Sequence, residues 1–305
     1  MNYIGSKKNL SDWIFSIIEN YYPVNNSQFC DLFAGSCEIA KEAKRRGAIV
    51  TANDIQYYSY ILAKYFLEEN EPFENFPLEM ENGVITSLYG GKYFTKENAM
   101  KCDYVLKLIR DNCIEQETAV LASLIMGMDN VANTACVYGA YLKTFKDRAL
   151  NELFLDQYLI NGNDGKAYNL PAEELITQIS GDILYLDPPY NTRQYSSNYH
   201  VLETIARNDN PLVHGKTVLR NDCIKSNFCY RHKADLALEK IISNANFKYI
   251  FMSYNNEGIL SLEQVKNIFE RYGKYSVKKK EYQRFSSGTS SNGLITTEYL
   301  HVLQK

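Results

Sequence analysis

No apolar run in this chain is long enough to cross a membrane, and its N-terminus carries no signal-peptide hydrophobic region. Both absences point away from membrane-spanning and secreted classes and toward a cytoplasmic protein. The cysteines, 7 in all, are scattered at spacings that form no disulfide framework, which suits reduced thiols. Cys223, Cys229 and His232 lie near one another, but a fourth ligand and the usual pair spacing are missing, so no metal site is expected. Positive charge is not in excess either: 33 Lys and Arg stand against 36 Asp and Glu, a net charge of −3. Any nucleic-acid surface therefore has to be a local basic face. Internal repeats and low-complexity tracts are absent too. What is present is 305 residues with 45% hydrophobic and 23% charged side chains. That is the composition of a soluble globular protein of one large domain or two modest ones.

Apolar spacing predicts a first helix containing Trp13, Ile14, Ile17 and Ile18 and ending near Pro23. A strand over residues 28–33 then runs into the small-residue turn Ala34-Gly35-Ser36-Cys37. A helix over 38–46, closed by Gly47, leads to a second strand over 48–52 that ends in Asn53-Asp54. Strand, tight turn, helix and a strand ending in an acid form the first half of a nucleotide-binding α/β unit. An apolar, tyrosine-rich helix over 57–67 follows. After a break rich in Pro, Glu and Asn, helical patterns return at 98–112 and 115–128. The polar-aromatic stretch beyond them includes Asn133, Lys143, Lys146 and Arg148. It reads either as a reader of base edges and phosphates or as a helix hairpin on the sheet. Other local basic candidates are Arg193 with Arg220, and Lys278-Lys279-Lys280 on a predicted edge strand, where lysines also guard against aggregation.

Sheet signals resume at 166–170, followed by a helix over 172–179. Next comes Gly181-Asp182-Ile183-Leu184-Tyr185-Leu186-Asp187-Pro188-Pro189-Tyr190. The apolar run 183–186 is a buried strand, and two prolines that cannot donate to a sheet ladder stop it. Asp187 is thereby placed at the carboxyl end of a central strand, where open α/β sheets bind ligands. An acid, a carbonyl of fixed direction at Pro188, the rigid Pro189 and the ring of Tyr190 suit a planar base bearing an amino group. The blander alternative is a Pro-Pro turn with a capping acid and a rim tyrosine. The loop after it, with Arg193 and Tyr195, is polar and aromatic, as a lid or base-contacting loop should be. Helices over 199–207, 233–245 and 262–272, a strand over 248–253 and two closing strands over 275–285 and 294–303 finish the chain. With no helix signal between them, the last two form an antiparallel hairpin on the edge of a mostly parallel sheet. The expected fold is α/β: a Rossmann-like, mostly parallel sheet with an antiparallel edge hairpin and a largely helical insert. The segments 1–65 and 165–305 would carry the sheet, and 66–164 the insert.

Taken together, Asp187-Pro188-Pro189-Tyr190, Phe33-Ala34-Gly35-Ser36 and Tyr3-Ile4-Gly5-Ser6-Lys7 carry a resemblance. The chain resembles the S-adenosylmethionine-dependent DNA adenine methyltransferases of the α motif order, relatives of the Dam enzymes. Asn133-Thr134, residues 138–143, the loop 191–195 and Ser253-Tyr254-Asn255 look like those of restriction-modification methyltransferases. The resemblance implies a methyltransferase sheet, S-adenosyl-L-methionine as cofactor and duplex DNA as substrate. It also implies a nucleoid-associated enzyme, a possible restriction endonuclease partner and a recognition role for the insert. Carried over by position, the turn containing Asp31, Phe33, Ala34, Gly35 and Ser36 would hold the cofactor's methionine part. Asp54 would take its ribose hydroxyls, with Tyr3, Gly5, Lys7 and Asp187 around it. Asp187, Pro188, Pro189 and Tyr190 would receive a flipped adenine, and Asn133, Lys143, Lys146, Arg148, Arg193 and Tyr195 would face DNA. Two positions depart from the family pattern: Cys37 and Ser6 replace its usual glycines. A side chain at Cys37 is expected to require a negative φ. The acid common before the Pro-Pro strand is also missing, with Pro171 near its place.

Acceptance of both amino protons, by Asp187 and by the Pro188 carbonyl, would leave the adenine nitrogen's lone pair available. Asp187 would then act as an electrostatic orienter, and positioning would supply much of the acceleration. The nearest rival is an RNA base methyltransferase; a non-catalytic DNA-binding relative and a nicotinamide oxidoreductase are more distant ones.

Overall fold

The computed structural model describes residues 5–283 and 295–305. Along the chain come α1 (Ser11–Ile18), β1 (Gln28–Asp31), α2 (Glu38–Arg45), β2 (Ile49–Asn53) and α3 (Tyr57–Leu67). Four helices follow: α4 (Val84–Tyr89), α5 (Lys96–Arg110), α6 (Glu117–Asn130) and α7 (Asp147–Leu150). The sheet resumes with β3 (Lys166–Tyr168), α8 (Ala172–Leu175) and β4 (Ser180–Leu186), and then α9 (Tyr195–Asn198) and α10 (His200–Arg207). A small hairpin, β5 (Val213–His214) and β6 (Leu219–Arg220), precedes α11 (Ala234–Asn244) and β7 (Asn246–Asn255). The chain closes with α12 (Leu262–Phe269), β8 (Lys274–Gln283) and β9 (Ile295–Gln304).

The main sheet has the order β3-β2-β1-β4-β7-β9-β8. Its first five strands pair in parallel, while β9 runs antiparallel between β7 and β8. The strand order reverses between β1 and β4, so the crevice for a ligand opens at their carboxyl ends. Alternation along each strand separates two layers. Phe29, Ile183, Tyr185 and Phe251 face one core, with α1, α2, α3, α5, α6 and α10. Cys30, Leu184, Leu186 and Met252 face the other, with α11 and α12. The helices of the insert share the first core with α3 and α10. The insert thus extends one helical layer and has no separate core of its own.

Several boundaries depart from the pattern reading. The helix expected over 172–179 is the single turn Ala172–Leu175, because pairing of Ser180 with Asn246 draws the chain into β4. The strand expected to reach residue 33 stops at Asp31, and Ala34 N–H turns to the Asn53 carbonyl at 2.8 Å. Within the Pro-, Glu- and Asn-rich break lies α4, whose first N–H groups donate to the distant carboxylate of Asp103, from Ile85 at 2.9 Å and Thr86 at 2.8 Å. Cys37 is the sharpest departure. Its φ is 60°, in the left-handed region, and the residue is fully buried. The conformation costs about 1–2 kcal/mol for a residue with a Cβ. Burial of the thiol in the core offsets it.

Candidate active site

Three strands deliver three carboxyls to the same edge. Asp31 ends β1, Asp54 follows β2 and Asp187 follows β4, with Asp31 in register with both Ala52 and Tyr185. They line a cavity of about 340 Å³ together with Gly5, Lys7 and the turn of residues 33–36. The turn is held from below: Gly35 N–H donates to Asp54 Oδ2 at 2.9 Å, and Gln56 N–H donates to Asp54 Oδ1 at 2.8 Å. Gly35 has φ 51°, which lets the backbone turn without a Cβ.

Each acid is pushed toward its protonated form. Burial raises Asp31 to about 8, with Asp187 and Asp54 adding to the shift and backbone N–H groups of Ala40 and Phe33 opposing it. Burial raises Asp54 to about 6, against the backbone N–H groups of Gln56, Gly35 and Ile55 and with Glu203 adding to the rise. Burial also raises Asp187 to about 6; Lys7 opposes this and Glu298 adds to it. Asp31 Oδ1 is buried and has no hydrogen-bond partner among the described residues. Such a group is costly unless a ligand satisfies it.

Lys7 was expected against the cofactor, and it does reach the cavity wall. Its ammonium, however, lies 3.0 Å from Asp187 Oδ1 and 3.3 Å from Glu298 Oε1, with the side chain only 5% exposed. Burial works against its charge, but the two carboxylates prevail and hold it well above the ordinary lysine range. Gly5 explains the approach of this segment. At φ 77°, a Cβ there would stand 3.1 Å from the Tyr190 hydroxyl and 3.4 Å from that of Tyr195. Asp187 and Pro189 reach the cavity, whereas Pro188 is buried and Tyr190 lies outside the cavity wall. The Tyr190 ring packs edge-on against Tyr254 at 6.5 Å, and its carbonyl accepts from Ile259 N–H at 3.0 Å. Tyr3 falls outside the described residues.

The residues expected to face DNA divide. Lys143, Lys146 and Arg193 are exposed. Arg148 is half-buried and donates to the Ala132 carbonyl at 3.2 Å. Tyr195 stacks on Tyr199 at 6.2 Å and lines the cavity. Asn133 is a correction. It is fully buried, and its amide donates to the carbonyls of Lys92 and Leu142 while accepting from Lys146 N–H. It shapes the loop that carries Lys143 and Lys146 and cannot itself touch a base. Arg220 is likewise withdrawn: at 2% exposure its guanidinium forks onto Asp209 and Asp222.

The sequence reading missed Glu298 and the segment Ile224-Lys225-Ser226-Asn227, which closes one side of the cavity. Gln194 clamps that segment by accepting from Ser226 N–H at 2.8 Å and donating to Ser226 O at 3.2 Å. No local pattern announces it, because its place follows from contacts 32 residues away.

A doubly wound sheet with an acid-rich cavity at its switch point defines a nucleotide-cofactor enzyme of the α/β class. The sequence model of the D12 class N6 adenine-specific DNA methyltransferases matches residues 3–268, and the chain belongs to that family. Relatives extend the match over full length. The chain is 42% identical to type II methyltransferase M.NlaIII of Neisseria lactamica, covering 100% of this chain and 99% of the relative. It is 33% identical to M.CviAII of Paramecium bursaria Chlorella virus 1, over 98% and 97% of the two chains. With M.FokI of Planomicrobium okeanokoites it shares 37% identity over its whole length but spans 53% of that protein, about half. The protein is therefore a methyltransferase whose methyl donor is S-adenosyl-L-methionine.

The cavity fits that cofactor. Its volume lies in the range of small-molecule sites. The unpartnered Asp31 oxygen suits an ammonium, and each Asp54 oxygen keeps a second lone pair for a hydroxyl.

Proposed function

We propose that this chain methylates the exocyclic amino group of adenine within one short duplex DNA sequence, as the modification half of a restriction-modification system. The observation that carries the reading is the position of Asp187. It stands at the cavity wall on one side, with the buried Pro188 and the Tyr190 ring beyond it on the other. A base extruded from the duplex would stack on Tyr190 and present its amino group to Asp187 and the Pro188 carbonyl. Extrusion costs a few kcal/mol, which stacking partly offsets.

Bound S-adenosyl-L-methionine supplies an electrophilic methyl group. The chain's own residues do the rest. Asp187, with a pKa of about 6, is ionised at neutral pH and accepts a proton of the amine by hydrogen bond. The Pro188 carbonyl accepts the other, and the nitrogen lone pair is freed from the ring. Asp31 holds the ammonium end of the cofactor, and Asp54 its ribose. The exposed Lys143, Lys146 and Arg193 contact phosphates, and residues 66–164 form the target-recognition region. Support for the insert's closeness to the site comes from Tyr138, whose N–H donates at 2.8 Å to the carbonyl of Asn198, at the end of the helix that begins with the cavity-lining Tyr195. A cognate endonuclease is the expected partner, as the relatives' names as type II methyltransferases suggest.

The test is transfer of labelled methyl to duplex DNA and to RNA side by side, with sequencing of the modified bases. N6-methyladenine at a single short DNA sequence is expected. Label on RNA, on cytosine or at random adenines would overturn the reading. Tyr190→Ala should weaken transfer while Tyr190→Phe stays mild, since the ring is the stacking element.

A further inference from the structure

Lys7 bridges two acids, and only one of them belongs to the Pro-Pro motif. The other, Glu298, sits on β9 in the edge hairpin, opposite Asn255, and is 1% exposed. Its Oε1 lies 3.3 Å from Lys7 Nζ and accepts from the Ser253 hydroxyl at the end of β7. Its Oε2 is 3.5 Å from the Tyr282 hydroxyl on β8. A carboxylate this buried is retained only where it is paired and hydrogen-bonded. Of its partners, Lys7 lines the cavity.

We propose that Glu298 is a positioning residue for methyl transfer: it shares the Lys7 ammonium with Asp187, leaving acceptor capacity on Asp187 for the substrate amine. An ammonium has three donors and no acceptor. With a neutral side chain in place of Glu298, Lys7 settles wholly on Asp187 and competes with the amine for the same oxygen. Ser253 donates to the same Glu298 oxygen and fixes it beside the ammonium. The groups facing Asp187 are Lys7, Glu298, Tyr185 and Asp31. Among them Glu298 acts as a like charge that raises the Asp187 pKa. Its removal therefore moves the Asp187 titration to lower pH.

This inference rests on the role given to Asp187. In Glu298→Gln, kcat should fall about tenfold while the KM for DNA stays within about threefold. Binding of S-adenosylhomocysteine measured by calorimetry should be unchanged. The acid limb of the kcat profile should move to lower pH, because the like charge that raises Asp187 is gone. Glu298→Asp keeps the charge, so its acid limb should stay in place even as kcat drops. Ser253→Ala should lower kcat about threefold with the same unchanged ligand binding. A folded Glu298→Gln with native kcat and an unmoved acid limb overturns the proposal. So does equal loss of kcat and ligand binding. Should both Glu298 variants fail to fold, native kcat in Ser253→Ala overturns it, and a selective kcat loss supports it. Asp187→Ala separates the two readings: if it retains transfer, the Asp187 role itself is wrong. If it abolishes transfer while Glu298→Gln is native, only the present inference fails.

Discussion

The carboxyl edge of the sheet and the aromatic core of the insert treat buried polar groups in opposite ways. In the insert, Tyr93 donates to the Tyr138 carbonyl at 2.7 Å, Tyr138 donates to Asp129 at 3.0 Å, and Tyr89 bonds Thr204 at 3.0 Å. Every polar atom of the Asn133 side chain is likewise used. At the sheet edge, three carboxyls crowd together, all raised in pKa, and one Asp31 oxygen is unpartnered among the described residues. The tyrosine and Asn133 network of the insert is satisfied internally and serves stability; the carboxyl cluster is left unsatisfied in a way that a cationic, hydroxyl-bearing ligand would complete. Sites break local rules where function needs them to.

Mutations can sharpen that contrast. The largest effect should come from Asp187→Ala, which should lower methyl transfer by roughly a thousandfold, the scale of losing a preorganised polar group at a reacting centre. Cofactor affinity should hardly change; equal loss of both in a folded protein would contradict the assigned role. In the insert, Asn133→Ala should reduce stability by about 1–3 kcal/mol, because it strands buried carbonyls and an amide. Urea unfolding reads that loss, and DNA affinity should weaken with it as the Lys143–Lys146 loop loosens, while cofactor binding stays native.

Asp31→Asn should do the reverse, stabilising the free protein and weakening cofactor binding. The sign follows from protons: the folded chain holds the Asp31 proton up to about 8, against an ordinary 3.8. The folded state therefore binds more protons between those values, and this group's contribution to stability falls as pH rises through them. The stability gain of Asp31→Asn should be greatest at pH 8 and above and fade toward pH 4. Melting curves across that range that show a constant or opposite difference would refute the shift. The smallest effect is expected for Cys37→Gly. Relief of left-handed strain, about 1–2 kcal/mol, opposes the loss of a buried thiol, so the net change should stay within about 1 kcal/mol.

Much of the fold was legible because its signals are local. The continuous apolar runs of β1 and β4, the break at Pro188-Pro189 and the helical patterns of α5 and α6 needed no tertiary information. The long-range caps were invisible. Helix α3 has no side-chain cap of its own. Its first N–H groups, of Tyr57 and Tyr58, donate to Glu203, and its last turn's Phe66 carbonyl accepts from Lys44. Both partners oppose the helix dipole, from 146 and 22 residues away respectively. The same blindness placed Asn133 and Arg220 on a DNA face. An amide or a guanidinium looks alike in sequence whether it meets solvent or a folded neighbour.

By itself, the order of residues determined that a parallel sheet would form, that it would stop at Asp187-Pro188-Pro189-Tyr190, and that acids would follow neighbouring strands. Those are consequences of backbone chemistry and apolar periodicity within a few residues. Only the tertiary structure decided how charge is shared at that edge. Lys7, Asp187 and Glu298 come from the two ends and the middle of the chain, and burial sets their mutual pull. Their proximity depends on strand order, which no local pattern encodes.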